Sequence, residues 1–157
     1  MAYSTFVPVN GTIFNITSGS DCCTQMVALR TGNGIVNMMV DPQTMIVDNR
    51  QLRPGMEVTA FYDGSLPVPL IFPPQYRAQI IAVRSRNEQV MLNFFGRSLL
   101  AQDRSLQLNI DRNTDIKTAN GQNFSCRPEN QVLLVFYTAT TRSVPPQTTP
   151  RRIIVLC

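Results

Sequence analysis

The sequence predicts an all-β protein built from two related β-modules, and three features of the chain support this class. Short apolar runs rich in β-branched and aromatic residues recur along the 157 residues, and each has the length of a strand. No window shows the period of an amphipathic helix, and 11 prolines interrupt any longer element. Landmarks of the first half return in the same order in the second half, as expected for an internal repeat.

The strands are clearest in the first half of the chain. In the run MEVTAFY at 56–62, the even-numbered residues form one face and Glu57, Thr59 and Phe61 form the other, which predicts a half-buried strand. The dipeptides Asn33-Gly34 and Asn120-Gly121 predict type I′ hairpin turns, because an Asn-Gly pair readily adopts positive φ angles. The other predicted strands cover 24–31, 34–40 and 78–83.

Five landmarks carry the repeat, and each recurs 70–75 residues later. The small differences in spacing are those that loop insertions between strands would produce. We therefore predict an N-terminal tail at 1–8, a first β-module at 9–86 and a second at 87–157; the alternative is that β-rich segments look alike without duplication. The matched pairs are Asp41-Pro42-Gln43-Thr44 with Asp111-Arg112-Asn113-Thr114, Arg53-Pro54 with Arg127-Pro128, Phe61-Tyr62 with Phe136-Tyr137, Pro73-Pro74-Gln75 with Pro145-Pro146-Gln147, and IIAV from Ile80 with IIVL from Ile153.

Each module resembles the small Greek-key barrels of OB type. The resemblance rests on the order of a strand, an Asp-x-x-Thr segment, a short link and a strand of the form MEVTAFY. It implies a tandem pair of OB-like barrels, in which Asp41 and Thr44 close a turn by bonding to their own backbone. A pairing of Asp41 and Asp111 as matched acids is disfavoured, because the two lie in separate modules.

The composition disfavours an enzyme. The chain has no His, which excludes Ser-His-Asp and Cys-His catalysis and His-ligated zinc. Asp111 and Asp115, four residues apart in a predicted turn and strand, are poor candidates for the paired carboxylates of a glycosidase. The glycines are isolated, so no phosphate-binding loop is present. We predict a non-enzymatic protein with no catalytic residue, no metal site and no cofactor.

The four cysteines allow two interpretations. Their spacing does not match the Cys-x-x-Cys pairs of zinc sites. They are either ordinary thiols in a reducing cytosol, some of them buried, or thiols placed to link subunits once the protein meets an oxidising exterior. The second interpretation makes the candidate intermolecular disulfide residues Cys22, Cys23, Cys126 and Cys157, with the partner being another copy of the chain or another envelope protein.

The surface composition offers an alternative partner. Only 15% of the residues are charged, the net charge is +4, and 13 of the 14 cations are Arg, a residue that binds phosphate and carboxylate and stacks on aromatic rings. OB-type barrels bind single-stranded nucleic acid or oligosaccharide through aromatic and Arg side chains; the alternative is that the Arg residues are scattered and solvated. The candidate ligand surface comprises Phe72, Tyr76, Arg77, Arg84 and Arg86.

The segments FYDGSLPVPLIFPPQYRAQIIAV and TATTRSVPPQTTPRRIIVLC resemble an uncharacterised family from clostridia and related spore-forming Firmicutes. The resemblance implies a host but carries no assigned activity.

The start MAYSTFVPVNGTIF lacks the basic and apolar regions of a secretory signal, and no stretch approaches the length of a membrane span. We therefore expect synthesis in the cytoplasm and a place in a spore envelope. The predicted function is that of a structural or self-associating protein of a spore or cell surface; the alternative is an OB-type binding module for single-stranded nucleic acid or oligosaccharide.

Overall fold

The computed structural model describes residues 3–157 and confirms the all-β class, with 48% of the residues in strands and 4% in helix. The chain forms two compact units. The N-terminal unit is Thr5–Ser85, and the C-terminal unit is Arg86–Cys157 together with Tyr3 and Ser4.

The N-terminal unit is a closed barrel of five strands. Four of the five contacts around the barrel are antiparallel, and a parallel pairing of the third strand with the start of the last closes the ring. The strands are β1 (Phe6–Ser18), β2 (Gln25–Thr31), β3 (Gly34–Val40), β5 (Glu57–Asp63) and β6 (Gln75–Val83), with a short β4 (Met45–Ile46) that pairs with β6 outside the ring. Because β1 begins at Phe6, residues 6–8 of the predicted N-terminal tail lie in a strand and pair with β5.

Strand β1 bends and thereby pairs with two neighbouring strands, β5 and β2. Its first half pairs with β5 and its second half with β2, and the register with β2 shifts between Ile13 and Asn15, as at a β-bulge. A Cβ atom at Gly11 would lie 2.9 Å from the carbonyl oxygen of Arg30. The missing side chain at Gly11 therefore lets the two backbones approach where β1 bends.

The core of the N-terminal unit is formed by side chains that point into the barrel. Val58 and Ala60 of β5 are fully buried there. Thr59 and Phe61, on the other face of β5, are 0% and 1% exposed, and the Thr59 hydroxyl donates to Asn10 Oδ1 at 2.6 Å. The prediction of a half-buried strand is therefore wrong, because both faces of β5 are covered from Val58 to Phe61.

The C-terminal unit contains two sheets around a second core. The order in the larger sheet is β7-β10-β12-β9, with β9 and β12 parallel, and β8 pairs with β11, also in parallel. Glu88, just before β7, is 1% exposed and accepts two hydrogen bonds from Arg151 at 2.8 and 3.0 Å. The strands are β7 (Gln89–Phe95), β8 (Gln107–Leu108), β9 (Asp115–Thr118), β10 (Gln131–Tyr137), β11 (Gln147–Thr148) and β12 (Arg152–Val155).

The Asp-x-x-Thr segments form the same turn in both units. The Gln43 N–H donates to Asp41 Oδ1 at 2.8 Å, and the Thr44 hydroxyl donates to the Ala78 carbonyl at 2.8 Å. In the C-terminal unit the Asn113 N–H donates to the Asp111 carboxylate and the Thr114 hydroxyl donates to the Pro150 carbonyl, each at 2.8 Å. The predicted turn closed by Asp41 and Thr44 is confirmed.

The two Asn-Gly hairpins differ from the prediction. Only the glycine of each pair has a positive φ, +110° at Gly34 and +85° at Gly121, whereas a type I′ turn needs two consecutive positive φ angles. The prediction of type I′ turns is therefore wrong. A single left-handed glycine after the turn suits a hairpin with a bulge, because glycine adopts that conformation without a steric penalty.

Candidate interaction site

The most unusual surface of the described chain is the loop between β5 and β6, residues 64–74, which we call the apolar loop. It has no charged side chain, and four of its residues are proline, which cannot donate to a strand ladder and keeps the segment irregular. Monomeric soluble proteins rarely expose contiguous apolar surface of this kind unless it binds another molecule. The exposed fractions of its large apolar side chains are 101% for Leu70, 93% for Phe72, 51% for Ile71, 48% for Leu66 and 43% for Val68.

The start of the apolar loop is held by Asp63. Its carboxylate accepts hydrogen bonds from the Thr5 hydroxyl at 2.6 Å and from the Ser65 hydroxyl and N–H at 2.7 and 3.0 Å. The Gly64 N–H also donates to the Thr5 carbonyl at 2.8 Å. The hydrogen bonds from Thr5 and then Ser65 lower the pKa of Asp63, so the group that fixes this end of the loop is an ionised carboxylate at neutral pH.

The end of the apolar loop is held by β3 and by an aromatic stack. The Asn37 N–H donates to the Pro74 carbonyl at 2.9 Å, and the rings of Tyr62 and Tyr76 stack with centroids 3.9 Å apart and planes 11° from parallel. Burial, and next a hydrogen bond with Tyr76, raise the pKa of Tyr62. Because Tyr62 precedes the loop and Tyr76 follows it, the stack ties the two ends together and fixes the base from which the loop projects.

The apolar loop is also concave. A groove of about 440 Å³ runs along it, lined by Val68, Leu70, Ile71, Phe72 and Tyr76 together with two prolines and a glutamine. An apolar cavity of about 150 Å³ is enough for a benzene ring, so the groove has room for a large side chain. The loop therefore presents both projecting apolar side chains and a recess that can receive one.

The matching loop of the C-terminal unit, residues 138–146 between β10 and β11, has a different character. Among its described residues the one exposed large apolar side chain is Val144, at 98%. The groove beside it is lined mainly by threonines with Asn109 and Gln147. Both loops have a cis peptide before the first proline of the Pro-Pro pair, at Phe72-Pro73 and Val144-Pro145. The two loops thus share a backbone feature, but only the first is apolar.

The five predicted ligand-surface residues do not form one cluster. Phe72 is exposed, but Tyr76 packs its ring against Tyr62, and Arg77 donates from Nε to Asp41 at 2.9 Å. Arg84 follows the end of β6 and is partly buried, about 25 Å along the strand from Tyr76. Exposed Arg86 belongs to the C-terminal unit. Phe72, Tyr76 and Arg77 are adjacent, and two of these three side chains already have partners within the barrel.

All four cysteines are exposed, free thiols, so the interpretation that some are buried is wrong. Cys22 and Cys23 occupy the corner of a turn in which the Cys23 N–H donates to Asp21 Oδ1 at 2.9 Å. Cys126 lies in the loop before β10, and Cys157 follows β12. Each thiol is accessible to another molecule. Within residues 3–157, no group of three or more His, Cys, Asp or Glu side chains is placed to hold a metal ion.

Sequence reasoning identified Phe72 but missed most of the apolar loop, namely Leu66, Val68, Leu70 and Ile71. The signal was present in the alternation of proline with large apolar residues over 66–74, since proline prevents these residues from entering the sheet interior as a strand.

No helix among residues 3–157 combines the length and the apolar character needed to cross a bilayer. The sequence matches no protein-family model and no curated protein. The resemblance to a family of spore-forming bacteria stays a prediction.

Proposed function

We propose that the protein is a non-enzymatic structural protein that associates with copies of itself at a spore or cell surface. The exposure of Leu70 and Phe72 at the tip of an uncharged loop carries the proposal. Burying one such side chain contributes about 1.5–3 kcal/mol. Association that covers the apolar loop therefore removes an unfavourable contact with water that the isolated chain cannot avoid.

The exposed thiols support the same function. Cysteines stay reduced in the cytoplasm and form disulfides in oxidising surroundings. A disulfide needs Cα atoms closer than about 7 Å, so exposed thiols on separate chains are linked efficiently only where the chains already touch. Non-covalent contact followed by oxidation would turn a reversible assembly into a durable one.

The bonding of three of the carboxylates fits a structural function. Asp41, Asp63 and Asp103 each bond to the backbone of their own turn. Hydrogen bonds from Arg77, Thr5 and Ser105, respectively, lower the three pKa values. These carboxyls are ionised at neutral pH and already bonded, which suits turn formation rather than proton donation.

We further propose that the two units are duplicated OB-like modules. Support comes from the barrel order β1-β2-β3-β6-β5 and from the matching Asp41 and Asp111 turns. In an experimentally determined structure, superposing the units should bring Arg53 onto Arg127 and Phe61-Tyr62 onto Phe136-Tyr137. Unrelated positions for these segments would contradict the duplication and the division into modules at 9–86 and 87–157.

Oxidative cross-linking tests the assembly. We expect the purified protein under mild oxidant to give discrete higher bands on a non-reducing gel, and dithiothreitol to remove them. Replacing Cys157 by Ser, or Cys22 and Cys23 together, should weaken the bands, because each removes an exposed thiol. Leu70→Ser with Phe72→Ser should weaken them as well, although no cysteine is lost. A chain that stays monomeric under oxidant at high concentration would contradict the proposal.

The alternative function is binding of single-stranded nucleic acid or oligosaccharide through Phe72, Tyr76 and Arg77. Exposed Phe72 favours it, but the ion pair of Arg77 with Asp41 and the stacking of Tyr76 leave less of this surface for a ligand. If nucleic acid is the ligand, affinity falls steeply with salt, and neutral replacements of Arg77, Arg84 or Arg86 reduce the slope. Absence of micromolar binding to mixed-sequence single strands at low salt would remove that ligand.

A further inference from the structure

We propose that the apolar loop binds the apolar loop of a second copy of this chain around a two-fold axis, with Phe72 of each copy seated in the groove of the other. The inference rests on the proposed self-association. It specifies the surface through which two copies meet, the two-fold symmetry of the contact, and a closed dimer as the first step of assembly. A two-fold contact uses the same patch on both partners, so the patch must be complementary to itself.

The apolar loop meets this requirement, because its projecting side chain and its recess lie side by side. Phe72 is 93% exposed, and it borders a groove that is otherwise lined by Val68, Leu70 and Ile71 of the same loop. Aromatic anchors in apolar recesses are the contacts that dominate binding energies at protein interfaces. Two copies that meet loop to loop can make this contact twice, once in each direction.

The absence of charge in the apolar loop also favours a second copy as its occupant. Near a two-fold axis each residue meets its own counterpart, so any charged side chain would face a like charge. The chain has no charged residue between Asp63 and Arg77, although its net charge is +4. Two copies can therefore approach each other through this loop without opposing like charges.

The size of the loop limits the strength of the contact. Stable interfaces use about 20–30 residues a side, whereas the apolar loop has 11 residues. The pairing is therefore a weak, reversible dimer, and the exposed thiols are needed to link dimers into larger assemblies. The matching loop of the C-terminal unit offers a single apolar side chain, Val144, and does not provide a second contact of this kind.

Complementation between two loop variants tests the pairing. Phe72→Ala removes the projecting ring, which is also one wall of the groove, and leaves the other lining residues in place. Val68→Trp fills the groove and leaves Phe72. Neither variant can make the contact with itself, but a mixture retains one of the two contacts. We expect each variant alone, which loses both contacts, to dimerise about a hundredfold more weakly than the wild type, and the mixed pair, which keeps one contact, to form about tenfold more readily than either variant pairs with itself. Fluorescence energy transfer between labelled reduced chains measures all four pairings.

Two further variants control for folding and for position. Val144→Ala truncates an equally exposed residue of the matching loop and should leave the dimer unchanged. Leu70→Ser changes a second exposed side chain of the apolar loop and should weaken the dimer as Phe72→Ala does. Circular dichroism should show a native barrel for every variant.

The outcomes separate the inference from the proposed function. Wild-type association that persists in Phe72→Ala overturns the loop pairing but leaves self-association standing. Loss of association in both variants without recovery on mixing shows that the loop meets a different surface and also overturns the pairing. A wild type that remains monomeric at millimolar concentration overturns both ideas. Loop-dependent binding of the monomer to phosphatidylcholine–phosphatidylglycerol vesicles, without a dimer, would identify a bilayer as the occupant instead.

Discussion

At the scale of single residues, the two Asp-x-x-Thr turns show how the same local chemistry is used with and without a charge partner. Asp41 and Asp111 accept the same backbone hydrogen bond. Asp41 also pairs with Arg77, whereas the matching position in the C-terminal unit is Thr149. The backbone bonds therefore make the turn, and the ion pair of Asp41 is an addition specific to the N-terminal unit.

The effect of the contact between Arg77 and Asp41 should be measurable in the pKa of Asp41. The hydrogen bond from Arg77 is the largest cause of the lowered pKa of Asp41, so we expect Arg77→Gln to raise that pKa toward the ordinary value of 3.8. Since the folded pKa lies below the unfolded one, the stability from this group is present above pH 3.8 and is lost as the pH falls through the lowered value. Carbon-13 NMR titration of the carboxyl group gives the pKa directly. An unchanged pKa in the variant would show that Arg77 is not the cause.

The same residues show where sequence reasoning works. The bonds by which Asp41 and Thr44 accept from the Gln43 and Asp41 N–H groups are local, and the preference of these side chains for nearby backbone predicts the turn without knowledge of the fold. The bond from the Thr44 hydroxyl to the Ala78 carbonyl is long-range and is not predicted in this way. The Asn33-Gly34 hairpin is equally local, but several turn types accept this dipeptide. Which type forms depends on the twist and register of β2 and β3, and these are set by the closed barrel.

At the scale of elements, the bend of β1 decides whether the barrel closes. The strand must leave β5 and continue along β2, and the close backbone approach at Gly11 makes this possible. Strand composition does not reveal this requirement. The predicted strands correspond well with β2, β3, β5 and β6, but closure joins β3 to β6 across 34 residues of intervening sequence, and such long-range pairings leave no local pattern.

We expect Gly11→Ala to destabilise the N-terminal unit by about 1–3 kcal/mol, as overpacking does, because the new Cβ would lie 2.9 Å from a backbone oxygen. Gly32→Ala is the matched control, since a Cβ at that hairpin position has no atom within 4 Å. Urea unfolding followed by circular dichroism measures both. Equal midpoints for the two variants would contradict the role assigned to Gly11.

The apolar loop is the element whose exposure is least evident from its amino-acid composition. Leu70, Ile71 and Phe72 are residue types that normally enter a core, so a local reading of the segment favours burial. The prolines keep the segment out of the sheet, which is the sequence signal against burial as a strand, and the structure shows that these side chains project into solvent. The candidate ligand surface was incomplete for the same reason: it singled out aromatic and basic residues and passed over aliphatic ones.

At the scale of the whole molecule, the two units differ most in what they present to other molecules. Each has its own core and the same Asp turn, but only the N-terminal unit has an uncharged apolar loop, and thiols are exposed on both units. This combination suits a chain that first associates through weak apolar contacts and is then linked by disulfides.

The most direct test of self-association is sedimentation equilibrium of the reduced protein over a wide concentration range. With dithiothreitol present, disulfides cannot contribute, so any rise in mass reports non-covalent contact. We expect the wild type and Val144→Ser to move from the 17.6 kDa monomer toward the dimer as concentration rises, and the double variant Leu70→Ser, Phe72→Ser to remain monomeric. A wild type that stays at the monomer mass up to millimolar concentration, or a double variant that dimerises as well as the wild type, would contradict the account.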